Sequence, residues 1–390
     1  MVMTSSPLKQ EFLLDPEIIF LNHGSFGATP RPVFDSYQKW QRELEKQPVA
    51  FLGRQAGNLL SSARACLAEY LGTRRDNLVF VTNVTEAINI VARSLALKPG
   101  DEVLSTDMEY GAIDRTWRFL TQKQAGSQGW KYINQPVTTP VQDKNQIVAD
   151  LWRGVTNRTR LITLSHISSP TGLIFPVKEI CQRARDQGIL TLIDGAHAPG
   201  QIPLDLDDLG ADFYGGNCHK WLCAPKGSGF LFAAPSAQRL IEPLIVSWGW
   251  QSENPGPSQF VDYLEWTGTR DLSAFLAVPD AIHFLQGHDW PQIRQGCHSL
   301  ASQAIELISS LTGLPPLYSA DSDWFAQMAT ARLPDSVDLK SFQDTLLNRF
   351  HIEIPLVNWN GQKLIRFSFQ AYNSQKDLEA LVDALKELLH

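Results

Sequence analysis

Between about residue 75 and residue 235, short apolar runs alternate with amphipathic helical stretches, and this alternation constrains the fold more than any other feature of the chain. The runs are Leu78–Thr82, Val103–Ser105, Leu161–Ser165, Leu190–Asp194, Asp212–Tyr214 and Gly229–Ala233, with helical patterns such as Thr85–Leu97 and Lys178–Gln187 between them. Strand and helix in alternation build a mainly parallel sheet covered on both faces. Ligands bind such sheets beyond the carboxyl ends of the strands, so the polar residues that follow each run are where chemistry is sought.

After Trp266 the pattern changes. Long helical segments at Gln292–Leu311, Leu339–Arg349 and Ser374–Leu389 flank short strands at His351–Pro355 and Leu364–Phe369. At 390 residues the chain exceeds the size at which one core keeps growing. The expected division is an α/β large domain over 18–265 and a smaller α+β domain over 266–390, with residues 1–17 packing on the smaller one. Gly249–Gln259, rich in Gly, Pro and Ser, reads as a loop near their junction.

Charge and cysteine usage narrow the function classes. A formal charge of −7 without a cluster of Lys and Arg argues against a nucleic-acid surface. No stretch reaches the ~20 apolar residues of a membrane helix, and the polar start, Met1–Gln10, does not read as a signal peptide. Cys66, Cys181, Cys218, Cys223 and Cys297 are odd in number and mostly scattered, which reads as free thiols in a cytoplasmic protein. Cys218-His219 with Cys223 lacks a second ligand pair, so no metal site is expected.

Three motifs carry chemistry. In Gly215-Gly216-Asn217-Cys218-His219-Lys220-Trp221 a lysine follows a strand and a glycine-rich lead, so its amine projects into the crevice. In a partly dry pocket or near a cation its pKa falls, which suits Schiff-base chemistry; taken alone, a surface lysine is the commoner reading. In Leu190-Thr191-Leu192-Ile193-Asp194-Gly195-Ala196-His197 an acid ends an apolar strand, which is costly unless a charge meets it or it caps the strand end. Thr82-Asn83-Val84-Thr85-Glu86 runs from a strand straight into a helix, whose free amides and positive dipole end make an anion seat; an ordinary helix cap explains it equally.

Taken in order, these motifs resemble the class V aminotransferase family of fold-type I pyridoxal-phosphate enzymes, and within it the isopenicillin N epimerase-like branch. Phe20-Leu21-Asn22-His23-Gly24-Ser25-Phe26-Gly27, His166-Ile167-Ser168-Ser169-Pro170-Thr171-Gly172 and Ile365-Arg366-Phe367-Ser368-Phe369 complete the resemblance, from about residue 18 to the end. It implies that Lys220 carries pyridoxal phosphate as a Schiff base, that Asp194 meets the pyridinium nitrogen, and that Tyr110 stacks on the ring. Val84, Thr85, His197 and His219 match phosphate and ring contacts. Ser169 stands where many relatives have an Asn beside the cofactor, so the resemblance implies a cofactor contact there, with the hydrogen bond to the ring oxygen weaker or reassigned. Thr269 matches a residue that reaches the neighbouring site across a homodimer. Arg366, with Asn22 and His23 nearby, matches the substrate-binding set, a guanidinium fork being suited to an α-carboxylate.

The implied reaction begins with loss of the α-proton of an amino acid. Reprotonation on the opposite face gives epimerisation and needs a second proton donor, for which Tyr110 and His23 are the candidates. Loss of a β-thiolate gives a cysteine or cystine carbon–sulfur lyase, releasing pyruvate and ammonia; aminotransfer ranks third. A persulfide-forming desulfurase is not expected, because Pro355-Leu356-Val357-Asn358-Trp359-Asn360 holds no cysteine. A cofactor-binding pseudoenzyme is the non-enzyme alternative, and a dehydrogenase lacks its Gly-x-Gly-x-x-Gly turn.

Overall fold

The strand-forming runs are buried on both faces, and alternate residues feed two separate apolar layers. In a computed structural model describing residues 8–123, 129–320 and 322–389, Leu78 and Phe80 join one layer while Val79 and Val81 join the other. Strands β1 (Leu78–Val81), β2 (Glu102–Thr106), β3 (Lys131–Gln135), β4 (Thr159–Ser165), β5 (Leu190–Gly195), β6 (Phe213–Asn217) and β7 (Gly229–Ala233) form one sheet in the order β1-β7-β6-β5-β4-β2-β3. Every pairing is parallel except the two made by β7. The sheet is therefore α/β and mainly parallel, as expected. Edge strand β3 is half-exposed, with Lys131, Asn134 and Gln135 flanking Tyr132 and Ile133, and the alternation of apolar runs did not predict it.

Helix α1 (Val84–Ser94) follows β1 with only two residues between. The Asn83 side chain accepts from the Glu86 amide at 3.0 Å, which caps the helix. Glu86 in turn accepts from the amide and hydroxyl of Thr82, so the strand-to-helix corner is fixed by its own side chains.

A second sheet, β8 (Met328–Arg332), β9 (Leu356–Trp359) and β10 (Gln362–Ser368), is antiparallel in the order β9-β10-β8. Helices α2 (Trp290–Thr312), α3 (Leu339–Phe350) and α4 (Gln375–Leu389) accompany it. The expected strand at His351–Pro355 shortens to Ile352–Glu353, which pairs in parallel with Ile19–Phe20. The N-terminal segment continues along this second unit, with Asn22 bridging to Ser368. Phe12 packs edge-on against Tyr372, ring centroids 4.9 Å apart. The first seven residues of the expected 1–17 packing segment lie outside the described residues. No helix among the described residues is long and apolar enough to cross a membrane.

Candidate active site

The carboxyl ends of β1, β2, β4, β5 and β6 open toward the same crevice, and β10 faces it from the second sheet. Asp194 stands on β5 with its carboxylate buried, accepting from the Ala196 amide at 2.8 Å. It has no ion-pair partner among the described residues. Burial pushes its carboxyl above the usual range, and the nearby Lys220 charge opposes that rise.

Lys220 follows β6. Its Nζ lies 3.2 Å from Nε2 of His197, the residue three beyond Asp194. Burial, and then the positive charge of Arg366, push the amine down to about 7, while Asp194 pulls the other way. An amine near neutrality is half unprotonated at physiological pH, the state that attacks a carbonyl.

The segment Asn22–Gly27, a single helical turn at His23–Phe26 with its caps, lies against the backbone of this lysine. A Cβ on Gly27 would sit 2.0 Å from the His219 carbonyl, and its φ of +70° admits little but glycine. The His23 ring is fully buried, with Nε2 3.0 Å from the Lys220 carbonyl and Nδ1 3.0 Å from the Tyr372 hydroxyl. The Gln370 side-chain amide nitrogen lies 3.3 Å from the same Nε2, so both ring nitrogens have hydrogen-bond partners within the chain. Burial pushes the His23 pKa to about 3. His23 thus supports the lysine from behind, with both nitrogens engaged.

Arg366 on β10 is buried and has no acidic partner within ion-pair distance among the described residues. One Nη donates to the carbonyl and hydroxyl of Ser169, at 2.7 and 3.1 Å, and the other to the Ser25 hydroxyl at 3.0 Å. Its buried Nε–H has no partner among the described residues. Burial lowers the guanidinium to about 10. Ser169 therefore serves the arginine directly. Ser25 also donates to Asn22 Oδ1 at 2.5 Å, and Asn22 donates to Glu353 at 2.9 Å, so the Asn22 amide is engaged at both ends.

The helix seat and the remaining candidates sit as follows. The Val84 amide donates to Asn217 Oδ1 at 3.0 Å, and Thr85 stands half-buried one position further into α1. His219 has its Nδ1 2.9 Å from the Ser228 carbonyl, so Nδ1 carries a proton. Tyr110 is 47% exposed and close enough to Arg366 to support its charge. Thr269 is exposed, in a bend beside Arg270, whose charge faces Glu86. Trp248, 86% exposed, and Trp250 are not core residues.

Two residues that sequence reasoning passed over belong to the crevice. Glu109 accepts from Thr106 at 2.7 Å and Ser165 at 2.9 Å, and burial, reinforced by Asp194, pushes it up to about 7. The signal was present: it is an acid just beyond an apolar strand, as Asp194 is. Trp221 is fully buried and donates its indole N–H to His197 Nδ1 at 3.2 Å. No group of three or more His, Cys, Asp or Glu among the described residues is arranged to hold a metal ion.

Comparison with known proteins bears on the family and the fold. The chain is 38% identical over 97% of its length to an isopenicillin N epimerase of Amycolatopsis lactamdurans, covering 97% of that protein. It is 28% identical to a putative L-cysteine desulfhydrase of Oryza sativa subsp. japonica, over 99% of this chain and 88% of that one. A cysteine desulfurase structure from Thermococcus onnurineus NA1 superposes over 100% of this chain and 99% of its own with a TM-score of 0.82 at 20% identity, a likeness of fold. The model of the class-V aminotransferases matches residues 19–381, and the chain belongs to that family.

Proposed function

We propose that this chain is a pyridoxal-phosphate enzyme that epimerises the α-carbon of an amino acid or amino-acid-derived substrate. The observation that carries the reading is the buried Arg366 guanidinium, without an acidic partner among the described residues, placed where its charge acts on Lys220. A buried cation left this way asks for an anion from outside the chain.

The residues fit the cofactor. The buried Asp194 carboxylate has one amide donor and no ion-pair partner among the described residues, so a cationic ring N–H would satisfy it. The N-terminus of α1, with Thr85, offers a seat for a phosphate. Lys220 would hold the group, with His197, His219 and Val84 around it and Tyr110 over it. When bound, pyridoxal phosphate supplies an electron sink that acidifies the substrate α-C–H.

The chain's own residues then do the following. Arg366 grips the substrate carboxylate by its fork and its free Nε–H. Lys220 Nζ, poised near neutrality, takes the α-proton, and the low pKa suits it to give that proton back. Asp194 holds negative charge at the floor of the crevice. For the opposite face, Tyr110 is the donor in reach of solvent; His23 has both nitrogens engaged and is left to position the lysine.

The 38% identity to an isopenicillin N epimerase favours epimerisation. The second reading is a carbon–sulfur β-lyase acting on cysteine or cystine, favoured by the relative described as a putative L-cysteine desulfhydrase and by its need for no second donor. Against persulfide formation, Cys181, Cys218, Cys223 and Cys297 are buried, and burial holds each thiol well above its usual pKa. Cys66, half-buried, is also raised.

The deciding experiment is proton NMR of the loaded protein in heavy water with a panel of amino acids including cysteine and cystine. Exchange of the α-proton with loss of optical purity and no keto acid supports epimerisation. Pyruvate from the sulfur amino acids replaces it with the lyase. No exchange with any substrate, together with unchanged cofactor absorbance in Lys220→Ala, removes both.

A further inference from the structure

The hydrogen-bond pattern around His197 has one consistent proton assignment. The Trp221 indole Nε1 lies 3.2 Å from His197 Nδ1, and an indole N–H can only donate. Nδ1 must therefore present its lone pair. Burial, followed by the charges of Lys220 and Arg366, drives the His197 pKa far down, so the ring is neutral and carries one proton. With Nδ1 filled, that proton is on Nε2. Nε2 lies 3.2 Å from Lys220 Nζ. An Nε2–H in that position needs an acceptor; an ammonium has none, whereas a neutral amine has one lone pair.

We propose that Trp221 is a positioning residue for Lys220: by occupying Nδ1 of His197 it fixes the Nε2–H tautomer, so that the lysine can meet this histidine only as a neutral amine. The inference rests on the reading of Lys220 as the cofactor lysine only for its consequence in turnover. The tautomer itself follows from donors and acceptors in the chain.

The charges facing the pair bear on the direction. Lys220 is faced by Asp194 from β5, which favours the ammonium, and by Arg366 from β10, which opposes it. His197 is faced by Lys220, Arg366, His23 and His219, all of which disfavour a second proton on its ring. Once the indole N–H is removed, His197 is free to carry its proton on Nδ1 and offer the Nε2 lone pair to an ammonium. Lys220 then keeps its proton to higher pH. Trp221 is buried and its indole N–H donates to His197, not to Lys220, so its effect passes through the histidine.

Two measurements on the apoprotein test this. The first is a two-bond proton–nitrogen correlation spectrum of wild-type protein labelled with ¹⁵N-histidine. The expected His197 signal is the neutral Nε2–H form; an Nδ1–H form overturns the proposal without any variant. The second is the pH dependence of the rate of Schiff-base formation with pyridoxal phosphate. It compares wild type with Trp221→Phe and with 3-benzothienylalanine at position 221, which keeps the indole shape and lacks the N–H. The midpoint should rise by about one pH unit in both altered proteins, the worth of one hydrogen bond. An unchanged midpoint in the benzothienylalanine protein, folded as judged by circular dichroism, overturns it. If Lys220→Ala captures the aldehyde as fast as wild type, the lysine assignment fails separately, and the spectrum still decides the tautomer.

Discussion

Arg366 and Ser169 are joined by a hydrogen bond of 2.7 Å from the guanidinium to the peptide carbonyl, which ties the second sheet to the loop beyond β4. The arginine is thereby held by its Nη groups while its Nε–H stays without a partner among the described residues. Replacing it with lysine removes the fork and leaves one mobile charge. Arg366→Lys should lower kcat/KM for an amino-acid substrate roughly 10- to 100-fold, the range of a charged hydrogen bond worth about 1.5–3 kcal/mol. Steady-state kinetics with absorbance of bound cofactor as a control checks this; unaltered kcat/KM would remove the arginine from substrate binding.

Glu109 gives a pH prediction whose sign can be worked out. Its folded pKa is raised from 4.5 to about 7, so the folded protein holds this proton more tightly than the unfolded chain. The stabilisation is full below about pH 4.5 and is lost as the pH rises through 7. In Glu109→Gln the amide keeps an acceptor for Thr106 and donates to Ser165, and nothing there ionises. Apoprotein Glu109→Gln should therefore gain stability over wild type at pH 8 by about 1–3 kcal/mol and gain little at pH 4.5. Urea denaturation at the two pH values reads the difference. An equal effect at both would mean that the carboxyl is not strained by burial.

How much of this was legible in the sequence depended on whether a residue's meaning is local. The apolar runs of β1, β4, β5 and β7 announced themselves because both faces are buried. Lys131–Gln135 did not, because in this half-exposed edge strand polar residues flank Tyr132 and Ile133 and leave too short an apolar run. Asp194, Lys220 and Arg366 drew notice by residue type at a strand end, and the fold brings them to one crevice. Trp221 could not be read that way: its bond is to His197, on a neighbouring strand's loop, and only sheet order makes them partners. His23 was assigned to the crevice from its motif, yet its ring is spent on Tyr372 and the Lys220 carbonyl, contacts that span more than 190 residues of sequence. Ser169 likewise was placed by analogy on the cofactor, and the structure puts it on Arg366.

The N-terminal loop makes a stability prediction. Gly27 has φ +70° and ψ 168°, a region that is essentially confined to glycine. A Cβ there also meets the His219 carbonyl at 2.0 Å and the Lys220 Cα at 2.9 Å, both backbone atoms that cannot swing aside. Gly27→Ala should lose about 2–4 kcal/mol from strain and overlap together. It should also weaken cofactor retention, because the displaced backbone is that of the lysine. Thermal unfolding and dialysis against buffer measure the two effects; normal stability would mean that the loop adapts without moving Lys220.

Association is the last prediction. Leu244, Ile245, Val246, Trp248 and Trp250 expose an apolar strip on one segment, with Trp248 86% exposed, and Phe26 is 73% exposed near the crevice. Contiguous apolar surface of this kind marks a contact with another chain more often than open solvent. Thr269 is also exposed, and the role the resemblance implies for it is at the site of a second copy. Trp248→Glu removes an aromatic anchor without touching the core and places a charge in the strip. Light scattering coupled to size exclusion should find wild type at twice the 43.6 kDa chain mass and the variant shifted toward the monomer, the loss of a central aromatic costing ≥ ~2 kcal/mol. If the site borrows Thr269 across the interface, specific activity should fall as the variant is diluted and the wild type's should not. A monomeric wild type with full activity would leave Thr269 without a function at the site.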